Sequence, residues 1–288
     1  MSFAIFDENF YLNSNPDVKA AVNARAVSSG FAHFQQFGLA EGRVNVSPYF
    51  DEGLYLRKYP DVAAAVSAGS LKSGLQHYIQ SGEAEGRSPG SFNEQFYRQR
   101  YPDVAAAIQA GTFSSGLQHY IRYGQFESNR AALFTGSTGN DTLTGFGALS
   151  TINGLYAGNE LIAGNDAYTR LSEDIGKGQV DTLIGNSGQN LFNLGGGRQI
   201  GSSSVYSPQT YYVGGGSSDY AVVKNFERGK DYIALAGGSL SINYRLQPVN
   251  GNLNISNSAG DLVGVVEGIT SLTQLPDNNF TDGIFFAR

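Results

Sequence analysis

The sequence predicts an α+β chain in two parts. Residues 1–131 form an all-α region of tandem three-helix repeats, and residues 132–288 form a β-solenoid or β-roll-like region. Three observations carry this. One long unit recurs three times before residue 131, with its apolar residues at helical spacing. Beyond it the chain turns glycine- and asparagine-rich, with apolar residues set singly or alternately between turn formers, as short strands require. At that boundary Gly136-Ser-Thr-Gly139-Asn-Asp141-Thr-Leu143-Thr introduces a nine-residue unit, G-x-x-G-x-D-x-L-x, that returns further on.

The helical copies span about 6–43, 50–87 and 92–130. The first carries Phe6-Asp7-Glu8, Tyr11, Pro16-Asp17-Val18, His33-Phe34, Gly38 and Glu41-Gly42-Arg43. The second repeats this as Phe50-Asp51-Glu52, Tyr55, Pro60-Asp61-Val62, His77-Tyr78, Gly82 and Glu85-Gly86-Arg87. The third has Phe92-Asn93-Glu94, Tyr97, Pro102-Asp103-Val104, His119-Tyr120 and Gly124, and departs at its end with Glu127-Ser-Asn-Arg130. Each copy reads as three short helices. Acidic residues open the first. Proline occupies the first position of the second, where its missing N–H does no harm. Val18, Ala21 and Val22 give that helix an i, i+3, i+4 apolar face. A serine turn caps the third, and Gly38, Gly82 and Gly124 are expected to stop it in a left-handed cap. Units this small complete their cores by stacking on neighbours.

The chain's three histidines, His33, His77 and His119, hold the same slot in successive copies. Two readings stand: a metal or proton site, or a structural ring bonded to a backbone carbonyl. One histidine per copy makes no cluster unless the copies face one another, which favours the structural reading. The Glu-Gly-Arg signature is read as an ion pair tying one unit's exit to the next, ahead of a ligand site.

In the second part, Gly145 to Asn153 follows the first nine-residue unit in frame. Gly176 to Ile184 keeps Asp181 and Leu183, and Gly185 to Asn193 follows it with Asn190 in the acidic slot. Gly214-Gly-Gly-Ser-Ser-Asp219 keeps the glycines and the acid. Glycine permits tight turns that other residues resist. Such turns aim carbonyl and carboxylate oxygens at one point, the donor set of a hard cation. The region from about Gly136 onward resembles the RTX (hemolysin-type calcium-binding) family of secreted bacterial proteins. The resemblance implies Ca2+ at Asp141, Asp181 and Asp219, with Gly136 and Gly139 supplying backbone geometry. It implies extracellular or cell-surface localisation by a type I secretion apparatus that reads the C-terminal tail, here Phe280-Thr-Asp-Gly-Ile-Phe285-Phe286. In that family calcium lies between positions 18 residues apart. Here those positions are Asn159 for Asp141 and Gln199 for Asp181, so each expected site carries about half the usual charge.

Strands are expected at Asp181–Ile184, 190–194, 211–213, 220–226, 231–235, 253–255 and 262–266. Composition narrows function further. With no cysteine there are no disulfides and no thiolate metal sites. Residues 1–130 hold 11 Lys+Arg against 12 Asp+Glu, and residues 131–288 hold 8 against 13. No basic patch points to nucleic acid, and no run approaches the ~18 apolar residues of a membrane span. The N-terminal Met-Ser-Phe-Ala-Ile-Phe-Asp lacks a signal peptide's basic and apolar regions. No H-E-x-x-H, G-x-S-x-G or phosphate-loop motif occurs, and Glu173 and Asp174 read as solvated loop acids. The expectation is a secreted, non-enzymatic surface or matrix protein that mediates assembly or adhesion. It would join copies of itself through repeat ends and strand edges left unpaired. The alternative is a glycan-binding or targeting module associated with carbohydrate-active proteins, its 17 Tyr and 18 Phe offering surfaces that stack on sugars.

Overall fold

A computed structural model describes residues 1–137, 139–155, 176–199, 206–237, 239–275 and 284–287. The chain divides into two compact units, Met1–Tyr123 and Gly124–Arg288. It is a mixed α+β protein, helical in the first unit and built mainly of sheets in the second. Among the described residues no helix is long and apolar enough to cross a membrane.

The first unit repeats one three-helix motif: α1 Glu8–Ser14, α2 Pro16–Asn23 and α3 Gly30–His33; then α4 Glu52–Lys58, α5 Pro60–Ser67 and α6 Gly74–His77; then α7 Glu94–Arg100, α8 Pro102–Gln109 and α9 Gly116–Arg122. The capping chemistry follows the sequence. Asp7, Asp51 and Asn93 accept the N–H groups of Phe10, Leu54 and Phe96. Ser29, Ser73 and Ser115 do the same for the third helices. Each third helix is also held from 22 residues upstream. Glu8 accepts the N–H groups of Gly30 and Phe31, Glu52 those of Gly74 and Leu75, and Glu94 those of Gly116 and Leu117. A carboxylate facing bare N–H groups at a helix start is favourable.

Gly38 and Gly82 do not form left-handed caps. They end π-helical turns, Phe34–Gly38 and Tyr78–Gly82, in ordinary helical conformation, and Gly124 opens a short 3-10 turn. Their smallness serves a different need. A Cβ would stand 2.5 Å from Tyr11 Oη at Gly38 and 2.4 Å from Tyr55 Oη at Gly82. The left-handed positions are Gly42 and Gly86, inside Glu-Gly-Arg, and Gly69 and Gly111 after the second helices. Copy one holds Arg25 in that last slot at φ 60°.

The arginine of the signature turns back on its own copy instead of reaching the next. Arg43 forks onto Asp17 at 3.0 and 2.6 Å and bonds Glu41 at 2.7 Å. Arg87 does the same with Asp61 and Glu85. The fork holds Asp17 down at about 2. Copy two is tied instead to the linker that follows it, by Asp51 N–H to Pro89 O and Lys58 Nζ to Gly90 O, and to copy three by the Ser114 and Ser115 hydroxyls on Glu83 Oε1. The N-terminal segment packs on copy one. Phe3 lies edge-on to Phe31 and Phe34, Ile5 is buried, and Ser2 N–H reaches Ile79 O.

The second unit contains β1 Ala132–Ser137, β2 Thr142–Thr144, β3 Leu149–Leu155, β4 Val180–Ile184, β5 Gln189–Asn193, β6 Gly195–Gln199, β7 Tyr206–Thr210, β8 Tyr220–Lys224, β9 Tyr232–Ala236, α10 Leu240–Asn243, β10 Tyr244–Val249, β11 Asn252–Asn257, β12 Leu262–Val266 and β13 Ile284–Ala287. One sheet runs β1-β3-β5-β9-β13, a second runs β10-β11-β12-β8-β4-β2, and β6 and β7 form a hairpin. From β1 to β5, successive strands alternate between the two larger sheets, and β8 and β9 continue the alternation beyond the hairpin. Their pairings are parallel. Inward residues make the core in two stacks: Phe134, Ile152, Phe192 and Ile233 on one sheet, and Leu143, Leu183, Val223 and Val266 on the other, all nearly or fully buried.

The expected strand at 211–213 is absent. Tyr212 is left-handed at φ 56° and follows β7 as a bend. The hairpin, α10 and β10 carry no clear alternation and were not expected. The apolar end of the tail, Ile284–Ala287, pairs antiparallel with β9, whereas residues 280–283 lie outside the described residues.

Candidate functional site

The spacing of the β unit decides which acids meet. Ile152 pairs with Phe134, 18 positions earlier. The next step, from Ile152 to Phe192, spans 40 positions, because additional chain lies between β3 and β4. The 18-residue pairing expected for Asp141 and Asp181 is therefore replaced by a 40-residue one. Asp141 and Asp181 themselves sit on adjacent turns, and Asp141 N–H donates to Asp181 Oδ1 at 2.8 Å. Asn159, Glu173 and Asp174 lie outside the described residues.

Two hydrogen-bond rules recur along the corners. Within a turn, the acidic or amide side chain accepts the N–H four residues back: Ser137 to Asp141 at 2.5 Å, Asn186 to Asn190 at 3.3 Å and Glu227 to Asp231 at 2.9 Å. Between turns, it accepts the N–H of the preceding turn: Asp141 to Asp181, Asn190 to Asp231 at 2.9 Å, Gly178 to Asp219 at 3.2 Å and Gly216 to Asp261 at 3.0 Å. Asp181, Asp219 and Asp231 are fully buried and Asp141 nearly so. Buried carboxylates persist where such donors replace water. Asp231, Asp261 and Asn190 do the same work as the acids singled out from sequence; the Gly-x-Asp of Gly229-Lys-Asp231 was the available signal.

Tyr212 completes the Asp181 environment, donating to Oδ2 at 2.7 Å. Burial, and then the Asp181 charge, push the Tyr212 phenol well above its usual range, so it stays a donor. Gly136 lies buried within β1, not in a turn, and Gly139 N–H donates to Ser137 Oγ.

Asp219 differs from the other two. Its Oδ2 accepts Gly178 N–H, whereas the buried Oδ1 has no hydrogen-bond partner among the described residues. It lies against the glycine run Gly214-Gly215-Gly216, where a Cβ on Gly215 would stand 2.5 Å from Oδ1. Asp261 also meets that run, accepting Gly216 N–H and, at 3.4 Å, Gly214 N–H. Two carboxylates thus lie against one run of three glycines. Among the described residues no group of three or more His, Asp or Glu side chains gathers as a metal set.

In the helical unit each histidine pairs with a tyrosine of its own copy. His33 Nδ1 meets Tyr11 Oη at 3.0 Å, His77 meets Tyr55 at 2.9 Å and His119 meets Tyr97 at 3.1 Å. All three tyrosines are fully buried. His77 Nε2 also lies 3.9 Å from Glu85. Burial, with the Arg87 charge second, lowers the His77 pKa. Burial raises Glu94 against the pull of its two helix N–H groups.

No known family profile matches the chain, and no curated protein matches it.

Proposed function

We propose that the chain is a secreted, non-enzymatic assembly or adhesion protein of RTX type, exported by a type I apparatus, whose β unit is a β-roll stabilised by calcium. Parallel strands that alternate between two sheets, opening with an 18-residue turn, support the β-roll reading. The observation that carries the metal is the buried, unpartnered Asp219 Oδ1 beside the glycine run. Calcium takes six to eight oxygen ligands, many of them carbonyls, and a buried carboxylate oxygen without a donor is the group a cation satisfies. Asp219 fits that role. Asp141 and Asp181 fit it less well, because Ser137, Asp141 N–H and Tyr212 already engage their oxygens. Self-association belongs to the proposal through the flank of α10 and β10, where Ile242 is 77% and Val249 36% exposed. Within the helical unit, the start of copy one is partly covered by Phe3 and Ile5.

The test is thermal melting of the full chain in calcium and in chelator, with Asp219→Asn beside the native protein. A ligand bound only to the folded state raises the melting temperature. A calcium-dependent rise that Asp219→Asn removes is the expected result. Identical curves for the native chain would overturn the metal. Sedimentation of native chain and Ile242→Lys tests assembly, and recovery from cell lysate alone, with none outside, would overturn secretion.

A further inference from the structure

Copies two and three enclose a cleft of about 440 Å³, lined by Glu85, Gly86, Glu94, Gln95, Arg98 and Gln99, with Ala105. Its chemistry is specific to copy three. Gln95, Arg98 and Gln99 sit at i, i+3 and i+4 of α7 and so share one face. Copies one and two place Leu12 and Leu56 in the Arg98 slot, where they pack over Gly30 and Gly74. Arg98 instead lies against the exit of copy two, with Nη1 3.2 Å from the position of a Cβ on left-handed Gly86. The guanidinium is half-buried, yet no hydrogen bond or salt bridge engages it among the described residues. The two glutamine amides are exposed and likewise unengaged. Glu85 bonds Arg87 through Oε2, which leaves Oε1 available, whereas both Glu94 oxygens hold the start of α9.

We infer that this cleft is a binding site for a neutral saccharide of one or two units. The wall offers strong donors from Arg98, amides that donate and accept from Gln95 and Gln99, and a carboxylate acceptor from Glu85. Vicinal hydroxyls need that mixture, since each hydroxyl both donates and accepts. Glu85, already paired with Arg87, and Glu94 stand beside the Arg98 guanidinium, so the cleft offers no surplus positive charge for a phosphate or a uronate. No aromatic ring lines it, so affinity comes from hydrogen bonds and is weak. The inference is independent of calcium and of assembly.

Saturation-transfer NMR on the full chain tests it, with methyl glycosides of neutral hexoses and of an N-acetylhexosamine, and a methyl uronate as the acidic arm. A saturable neutral-sugar signal is expected, with Kd on the order of millimolar as a small polar ligand allows. Arg98→Leu installs the residue that copies one and two already carry, so the fold is kept, and an unchanged melting temperature verifies that. It should weaken binding by about tenfold or more, the scale of lost charge-assisted hydrogen bonds. Glu85→Gln should raise uronate binding relative to neutral sugar. No saturable neutral-sugar signal, equal binding by Arg98→Leu, or preference of the native chain for the uronate would each overturn the assignment.

Discussion

The Tyr212 hydroxyl meets Asp181 Oδ2 at 2.7 Å, and neither residue reaches solvent. The tyrosine comes from the segment after the β6–β7 hairpin, 31 residues beyond its partner, and bends into place at φ 56°. A buried carboxylate that loses a donor keeps its desolvation cost. Tyr212→Phe should therefore lower stability by about 2 kcal/mol. Chemical denaturation read by circular dichroism checks it, and a loss under half that would show that water replaces the hydroxyl.

Glycine at the end of the π-helical turns is set by a tyrosine hydroxyl. Gly82→Ala would place a methyl group on Tyr55 Oη and break its contact with His77. The expected cost is about 2–3 kcal/mol, as for overpacking elsewhere. Tyr55→Phe removes the oxygen and should recover part of that cost in the double variant. A strictly additive double-mutant cycle would refute the steric account.

The burial of His77, with the Arg87 charge beside it, gives the helical unit a pH dependence of definite sign. The folded pKa of His77 lies below its unfolded value, so the unfolded chain binds the proton more readily. Its contribution is fully present above about pH 6.5, the unfolded value. It is lost as pH falls through the depressed folded pKa. Melting temperatures at neutral and mildly acidic pH should fall less in His77→Gln than in the native chain. An equal fall in both would remove His77 as a source.

Arg25 holds a left-handed conformation in the slot where copies two and three carry Gly69 and Gly111. Side chains pay about 1–2 kcal/mol for that backbone, and glycine pays less. Glycine also gives up some of the gain through its freer unfolded state. Arg25→Gly should stabilise by about 0.5–1 kcal/mol, visible as a raised denaturation midpoint at unchanged slope.

The helices were legible because their signals are local. Asp7, Pro16, Ser29 and Val18 each act within a turn of their own position, and the repeat shows them three times. The pairings that lock each motif were not legible. Glu8 finds the N–H groups of Gly30 and Phe31, and Tyr11 finds His33, across 22 residues and a change of chain direction. In the β unit, inward residues such as Leu183, Phe192 and Ile233 could be read from alternation and turn formers. The pairing of Asp141 with Asp181 could not, because it depends on how much chain intervenes between turns. Asp231 and Asp261 were passed over because the nine-residue pattern around them is incomplete, although the backbone donors they accept are of the same kind.

The growth of the step from 18 to 40 positions also sets how the β unit can form. Closing the longer loop costs about 0.7 kcal/mol more chain entropy than closing the shorter one, which raises the sequence separation of native contacts and slows folding. The inter-turn bonds add a direction. Asp141 N–H waits for Asp181, Asn190 N–H for Asp231, and Gly216 N–H for Asp261, so every turn leaves a donor that only later chain can satisfy. A chain that emerges from its N-terminus cannot finish these turns before the next arrives. The β unit therefore completes its corner hydrogen bonds only once the whole segment is present.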